Sequence, residues 1–171
     1  MSDPLLVLLA DDHRLDGFDC GQEQLDVWLA KHARASHKAD LARTYLALSG
    51  DRVAGYVSLT TGSVDRREVP RRFARGMPAY PLPTILIARL AVAREWQGRR
   101  LGSRLLAEAL RMAVGASDAV AARLVVVDAI DEATAAFYRR WGFVDLPENP
   151  LRLHRKISDV RRSLADASAD R

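Results

Sequence analysis

The sequence predicts an α/β (α+β) chain in which a mixed central sheet of six to seven strands is flanked by about four helices. Three stretches predict it. Thr84 to Val92 reads Thr-Ile-Leu-Ile-Ala-Arg-Leu-Ala-Val, the nearly continuous apolar run of a central strand buried on both faces. A polar turn holding Gly98 and Gly102 follows, and apolar residues at 101, 105, 106, 109, 110 and 113 then trace one stripe of a 3.6-residue period, the mark of a helix packed on a core. Arg123 to Ala129, Arg-Leu-Val-Val-Val-Asp-Ala, is a second buried strand.

The remaining elements follow in chain order. Leu5 to Leu9 is a short apolar run suited to an edge strand. From Cys20 to about Ala39 the pattern is helical, with Leu25, Trp28, Leu29, His32, Ala33 and Ser36 on one face. Lys31, Arg34 and Lys38 share another face, either a solvated surface or a stripe that contacts phosphates. Thr44 to Ser49 and Arg52 to Thr60 are rich in Val, Tyr, Thr and Leu and read as a β-hairpin, in which Gly55 marks a bulge or a close approach.

Residues 62–83 carry Pro70, Pro78, Pro81 and Pro83 together with Arg66, Arg67, Arg71, Arg72 and Arg75. So many prolines exclude a regular helix or a central strand and leave a basic loop, which is either a solvated linker or a clamp for a polyanion. Arg89 interrupts the apolar strand, so it is either paired within the core or reaches into a cleft. Asp131 suits the N-cap of a helix from Glu132 to Trp141, and Gly142 suits its C′ position. Phe143-Val144 begins a further strand that Leu151 to Ile157 can pair with, and the polar, alanine-rich tail from Ser158 is a frayed helix or disordered. The expected organisation is one domain over 1–157 and a tail over 158–171.

Composition narrows the chemistry. A chain of 171 residues, 49% hydrophobic and 28% charged, suits one soluble globular domain. No apolar run reaches the roughly 18 residues that span a bilayer, and the start is too acidic and short in its apolar run for a secretory signal, so the cytoplasm is the expected location. Cys20 is the single cysteine, and His13, His32, His37 and His154 have no metal-ligand spacing, so neither a disulfide framework nor a metal is expected. The net charge of +4 favours an anionic partner, and all but three of the 26 basic residues are arginine.

The turn at 97–103 has an elementary use. The first N–H groups of a helix lack partners inside it and carry the positive end of its dipole, so a small-residue turn ahead of a helix makes an anion site. Arg99, Arg100 and Arg104 add permanent cations whose forks suit phosphate oxygens. A pyrophosphate fits that description, although a glycine-containing turn can also be no more than a turn. Neither the dinucleotide fingerprint nor a P-loop is present.

Gln97-Gly98-Arg99-Arg100-Leu101-Gly102 resembles motif A of the GNAT acetyltransferase superfamily, Q/R-x-x-G-x-G/A, with Arg100 at the usual first motif glycine. The resemblance implies that main-chain amides of this loop hold the pyrophosphate of acetyl coenzyme A, with Leu90, Ala91, Val92, Gln97, Gly98, Arg99, Arg100, Leu101, Gly102 and Ser103 forming the cofactor site. Acyl transfer from a thioester to an amine requires a neutral nucleophile and a proton for the departing thiolate. Tyr138 suits the second task, since a phenol is protonated at pH 7. Phe137-Tyr138-Arg139-Arg140-Trp141-Gly142-Phe143 also resembles the GNAT segment whose tyrosine is the general acid; the alternative is that Tyr138 simply packs. Glu132 and Asp128 are the nearby acids, but Asp131 and Glu132 suit helix capping and dipole compensation better than the role of a base.

Phe18-Asp19-Cys20-Gly21, Ala54-Gly55-Tyr56, Pro81-Leu82-Pro83, Ala88-Arg89-Leu90-Ala91-Val92, Val127-Asp128-Ala129 and Phe137-Tyr138 extend the likeness over residues 15–157. In this order they resemble the tRNA-acetylating GNAT toxins of bacterial toxin–antitoxin pairs. That resemblance implies an enzyme that acetylates the α-amino group of aminoacyl-tRNA and blocks translation, a ribbon-helix-helix antitoxin as partner, and a homodimer. A tRNA would then meet Arg89, the cluster Arg66, Arg67, Arg71, Arg72 and Arg75, and the Lys31–Arg34–Lys38 face. Two other readings stand beside it: a GNAT enzyme acting on a small amine or protein N-terminus, and a catalytically idle GNAT module that binds a partner and DNA.

Overall fold

The computed structural model describes residues 2–169. Its strands are β1 (Leu5–Leu8), β2 (Arg43–Ser49), β3 (Arg52–Val64), β4 (Leu82–Val92), β5 (Leu124–Asp128), β6 (Val144–Leu146) and β7 (Asn149–Lys156). Its helices are α1 (Glu23–Lys31), α2 (Ala33–Lys38), α3 (Arg71–Ala74), α4 (Leu101–Ala119), α5 (Glu132–Arg140) and α6 (Ile157–Ala169), with a single 3₁₀ turn at Arg94–Trp96. The strands form one mixed sheet in the order β1-β2-β3-β4-β5-β7-β6. β4 and β5 pair in parallel, whereas β1–β2, β2–β3, β5–β7 and β6–β7 are antiparallel. Among the described residues no helix is long and apolar enough to cross a membrane.

The chain divides into two compact units. The first comprises residues 2–60 with Ala88–Ala109. Leu29, Ala33, Leu46, Tyr56 and Ala91 form its core, and Phe18, Trp28 and Leu48 pack against that cluster. The single helix expected over 20–39 is two, because His32 adopts φ −121° and ψ −26° between α1 and α2. The helical period survives the break: His32 N–H donates to the Trp28 carbonyl and Ser36 N–H to the His32 carbonyl. Both readings of Gly55 hold. The β2–β3 register slips where Ala47 faces Gly55 and Leu48 faces Val53, which leaves Ala54 as the extra residue of a bulge. A Cβ on Gly55 would also lie 2.9 Å from the Ala91 carbonyl oxygen.

The second unit comprises Thr61–Ile87 with residues 110–169. Val64, Leu82, Leu124, Val126 and Leu146 form its core, with Phe73, Met77 and Leu86 packed against it. Three corrections concern residues 62–83. The strand expected over Arg52 to Thr60 continues through Val64, so 62–64 belong to β3. Pro70 opens one helical turn, α3, where its missing N–H is no loss, and Pro83 lies near the start of β4 rather than outside a strand. β5 is buried from Leu124 to Val127, as its unbroken apolar sequence requires.

Asp131 caps α5, accepting from Thr134 N–H at 2.7 Å. Gly142 has φ +81° and donates to the Arg139 carbonyl while Phe143 N–H donates to that of Tyr138, which is a Schellman closure. Residues 158–169 are helical in α6, anchored by buried Ile157 and Val160, so the tail described here is ordered helix; residues 170–171 lie outside the described residues.

Candidate active site

In the first unit the turn between the 3₁₀ segment and α4 has the backbone of an anion cradle. Gly98 has φ +74° and Arg100 φ +63°, so the position where motif A has glycine keeps a left-handed conformation with an arginine on it. A Cβ at Gly98 would meet nothing within 4 Å, so its φ, not crowding, favours glycine there. No amide of residues 98–103 donates to a backbone carbonyl among the described residues, whereas Arg104 N–H already bonds to the Arg100 carbonyl. Six unspent donors at a helix start fit the pyrophosphate of acetyl coenzyme A.

The three expected cations divide. Arg99 lies over the Trp96 ring at 5.3 Å, and Arg100 is exposed on the turn. Arg104 instead reaches the Pro4 carbonyl at 3.1 Å and Asp3 at 3.6 Å, so its side chain serves the N-terminal segment. Gln97, though exposed, is also engaged by the main chain. Its Nε2 donates at 2.9 Å both to the Val92 carbonyl, at the end of β4, and to the Cys20 carbonyl. Arg94 reinforces that junction: its N–H donates to the Asp19 carbonyl and its Nε to the Asp19 carboxylate. The Arg94 guanidinium holds the Asp19 carboxyl below the usual range, with the Gly21 N–H adding to the effect.

Leu90, Ala91 and Val92 end β4 beside this turn, and Arg89 precedes them. Arg89 is half-buried and has no carboxylate partner among the described residues. Its guanidinium carbon lies 4.1 Å from the Trp28 ring centroid, and burial lowers its pKa while the Tyr56 hydroxyl opposes that shift. Core pairing is thereby excluded. Of the other face, Arg34 donates to the His13 carbonyl at 2.7 Å and Lys38 pairs with Asp11 at 2.8 Å. Lys31 ends α1, while Arg34 and Lys38 belong to α2.

Tyr138 belongs to the second unit. It is 4% exposed, edge-on to both Phe137 and Phe143, and its hydroxyl has no hydrogen-bond partner among the described residues. Burial pushes the phenol well above its ordinary range, so it keeps its proton. The acids considered as a base, Glu132 and Asp128, are both engaged. Glu132 and Asp145 both bind Arg139, and Asp128 pairs with Arg152 at 3.4 Å.

Arg66, Arg67, Arg71 and Arg75 line a cleft of about 420 Å³ with Val69 and Ala74. Arg66 donates to the Met77 carbonyl, and Arg67 forks onto Asp65, holding that carboxyl at about 2. Arg72 instead lies over Phe73 at 4.9 Å. Among the described residues no cluster of three or more His, Cys, Asp or Glu could hold a metal ion.

Sequence periodicity passed over the aromatic partners Trp28, Tyr56 and Trp96. Trp28 read as a core residue of a helix, and nothing local signals that a cation from a strand 61 positions later lies on it.

Known proteins resemble this chain in sequence and in fold. The acetyltransferase (GNAT) family model matches residues 6–143. A tRNA-acetylating toxin of Mycobacterium tuberculosis is 38% identical over 165 residues, covering 96% of this chain and 98% of that protein. The structure of AtaT complexed with acetyl-methionyl-tRNAfMet is similar with a TM-score of 0.86 at 28% identity, covering 95% and 99% of the two chains. A mutant AtaT toxin bound to the C-terminus of the antitoxin AtaR and acetyl-CoA is similar with a TM-score of 0.80 at 28% identity, covering 95% and 99%. With its family model, its fold and its unspent loop amides in agreement, the chain belongs to the GNAT acetyltransferase family.

Proposed function

We propose that the protein is an acetyl-CoA-dependent N-acetyltransferase, a toxin that acetylates the α-amino group of aminoacyl-tRNA and thereby blocks translation. The observation that carries this reading is the 38% identity to a tRNA-acetylating toxin across nearly the whole of both chains. Acetyl-CoA supplies an activated acetyl thioester when bound, and the amides of residues 98–103 hold its pyrophosphate. Leu90, Ala91 and Val92 flank it as the end of a strand. Tyr138 acts as general acid, since a phenol kept protonated by burial carries the proton that a departing thiolate needs.

No base is assigned, because Glu132 and Asp128 are held in ion pairs. α-Amino groups titrate at about 7.7–8.0, so an adequate neutral fraction exists near pH 7 and positioning does the rest. Arg89, Arg71 and Arg75 lead the tRNA contacts, and Arg66, Arg67, Arg72, Lys31, Arg34 and Lys38 add positive charge. A ribbon-helix-helix antitoxin neutralises the enzyme, the working form is a homodimer, and the compartment is the cytoplasm, where charged tRNA is found. The domain extends over 1–157 with 158–171 appended.

Mass spectrometry of nuclease-digested aminoacyl-tRNA after incubation with acetyl-CoA tests the reading. N-Acetyl-aminoacyl-adenosine is the expected product. Acetylation confined to free amines or peptide N-termini would overturn it, and absence of any acetyl transfer would favour an idle partner-binding module.

A further inference from the structure

Arg89 is a half-buried cation with an aromatic floor in place of a counterion. A guanidinium that is partly dehydrated and unpaired is costly to hold, and the negative face of an indole offsets part of that cost. The floor is itself packed. Trp28 stacks on Tyr56 with centroids 5.9 Å apart and planes 16° from parallel. Tyr56 is fully buried, Phe18 meets its ring edge-on at 5.5 Å, and its hydroxyl donates to the Leu25 carbonyl one turn before Trp28. Tyr56, Trp28 and Arg89 therefore form a three-layer stack that ties α1 to the β4 residue just ahead of Leu90, Ala91 and Val92.

We propose that Trp28 is a positioning residue for substrate recognition: its indole fixes the guanidinium of Arg89 so that the N–H donors of that fork meet the phosphates at the acceptor end of the tRNA. The inference rests on the aminoacyl-tRNA reading given above. A guanidinium seated on an aromatic plane loses less side-chain freedom on binding, and the acid-free surroundings leave no internal anion to compete with the incoming one. Trp28 thus acts through Arg89 and touches neither the thioester nor the amine.

Steady-state acetylation of aminoacyl-tRNA by full-length wild type, W28L, W28F, R89Q and the W28L/R89Q pair tests this, with acetyl-CoA affinity measured separately by calorimetry. W28L is expected to raise KM for aminoacyl-tRNA about tenfold with kcat and acetyl-CoA affinity little changed, and W28F, which keeps an aromatic face, to recover most of the loss. In the R89Q background the same W28L change is expected to cost less than about twofold, because the residue it positions is gone. An undiminished W28L effect in R89Q, or a W28F variant as impaired as W28L despite a wild-type melting temperature, overturns the proposal. A neutral R89Q in an enzyme that does acetylate aminoacyl-tRNA also overturns it alone, whereas a wild type that transfers no acetyl group to aminoacyl-tRNA fails the functional reading itself.

Discussion

Gly55 lies against the carbonyl oxygen of Ala91 so closely that a Cβ added to it would sit 2.9 Å from that oxygen and 2.9 Å from Leu105 Cδ1. The leucine tip can turn aside, but a strand carbonyl cannot. Gly55→Ala is therefore expected to destabilise the protein by about 2–3 kcal/mol through overpacking. Urea unfolding of the purified variant measures it, and a change below about 0.5 kcal/mol would show that β3 yields without cost.

Arg100 keeps φ at +63° without being glycine. A left-handed residue with a side chain stores about 1 kcal/mol of strain, which glycine relieves and a β-branched residue worsens. Arg100→Gly is expected to match or slightly exceed the wild type in melting temperature, and Arg100→Val to fall below it by several degrees. Differential scanning calorimetry distinguishes the two; equal melting temperatures would mean that the turn relaxes when the side chain changes.

Gln97 spends both N–H bonds of one amide on the carbonyls of Val92 and Cys20. Gln97→Glu sets a carboxylate against two carbonyl oxygens and is expected to cost about 2 kcal/mol, more than the apolar Gln97→Leu. Chemical denaturation at pH 7 compares them, and a less stable Leu variant would show that packing, not the paired donors, matters at this junction.

Tyr138 yields a prediction for rate and another for pH. Tyr138→Phe is expected to lower kcat by about 10²–10⁴ while leaving acetyl-CoA affinity intact, as loss of a general acid does. Because burial raises its folded-state pKa above the unfolded value of about 10, its contribution to stability is complete below pH 10 and declines as pH rises beyond it. The phenylalanine variant is accordingly expected to lose less stability than wild type between pH 9 and about 11. Thermal melts across that range would contradict the assignment if the two proteins declined in parallel.

The elements legible in the sequence were those whose signal is local. The uninterrupted apolar runs gave β4 and β5, Asp131 and Gly142 bracketed α5, and the 101–113 stripe found α4, although α4 continues to Ala119. The break at His32 was invisible because hydrogen bonding, and with it the apolar period, continues through it. Proline counting made 62–83 irregular, but proline is excluded from element interiors and not from their starts: Pro70 is the cap just ahead of α3 and Pro83 the second residue of β4. At the site, Gly98 and Gly102 marked the turn ahead of α4. The fates of Arg104, Arg34 and Lys38 were not legible, since each is set by a carbonyl or carboxylate far along the chain or across a turn.

Arg99, the loop cation resting on the Trp96 ring, gives the protein an optical gauge of its own. A guanidinium drawn toward an arriving phosphate uncovers the indole beneath it, and indole emission responds to a neighbouring charge within that distance. Titration with acetyl-CoA is accordingly expected to shift tryptophan emission, and loss of that shift in Trp96→Phe, with Trp28 and Trp141 still present, would assign it to this indole.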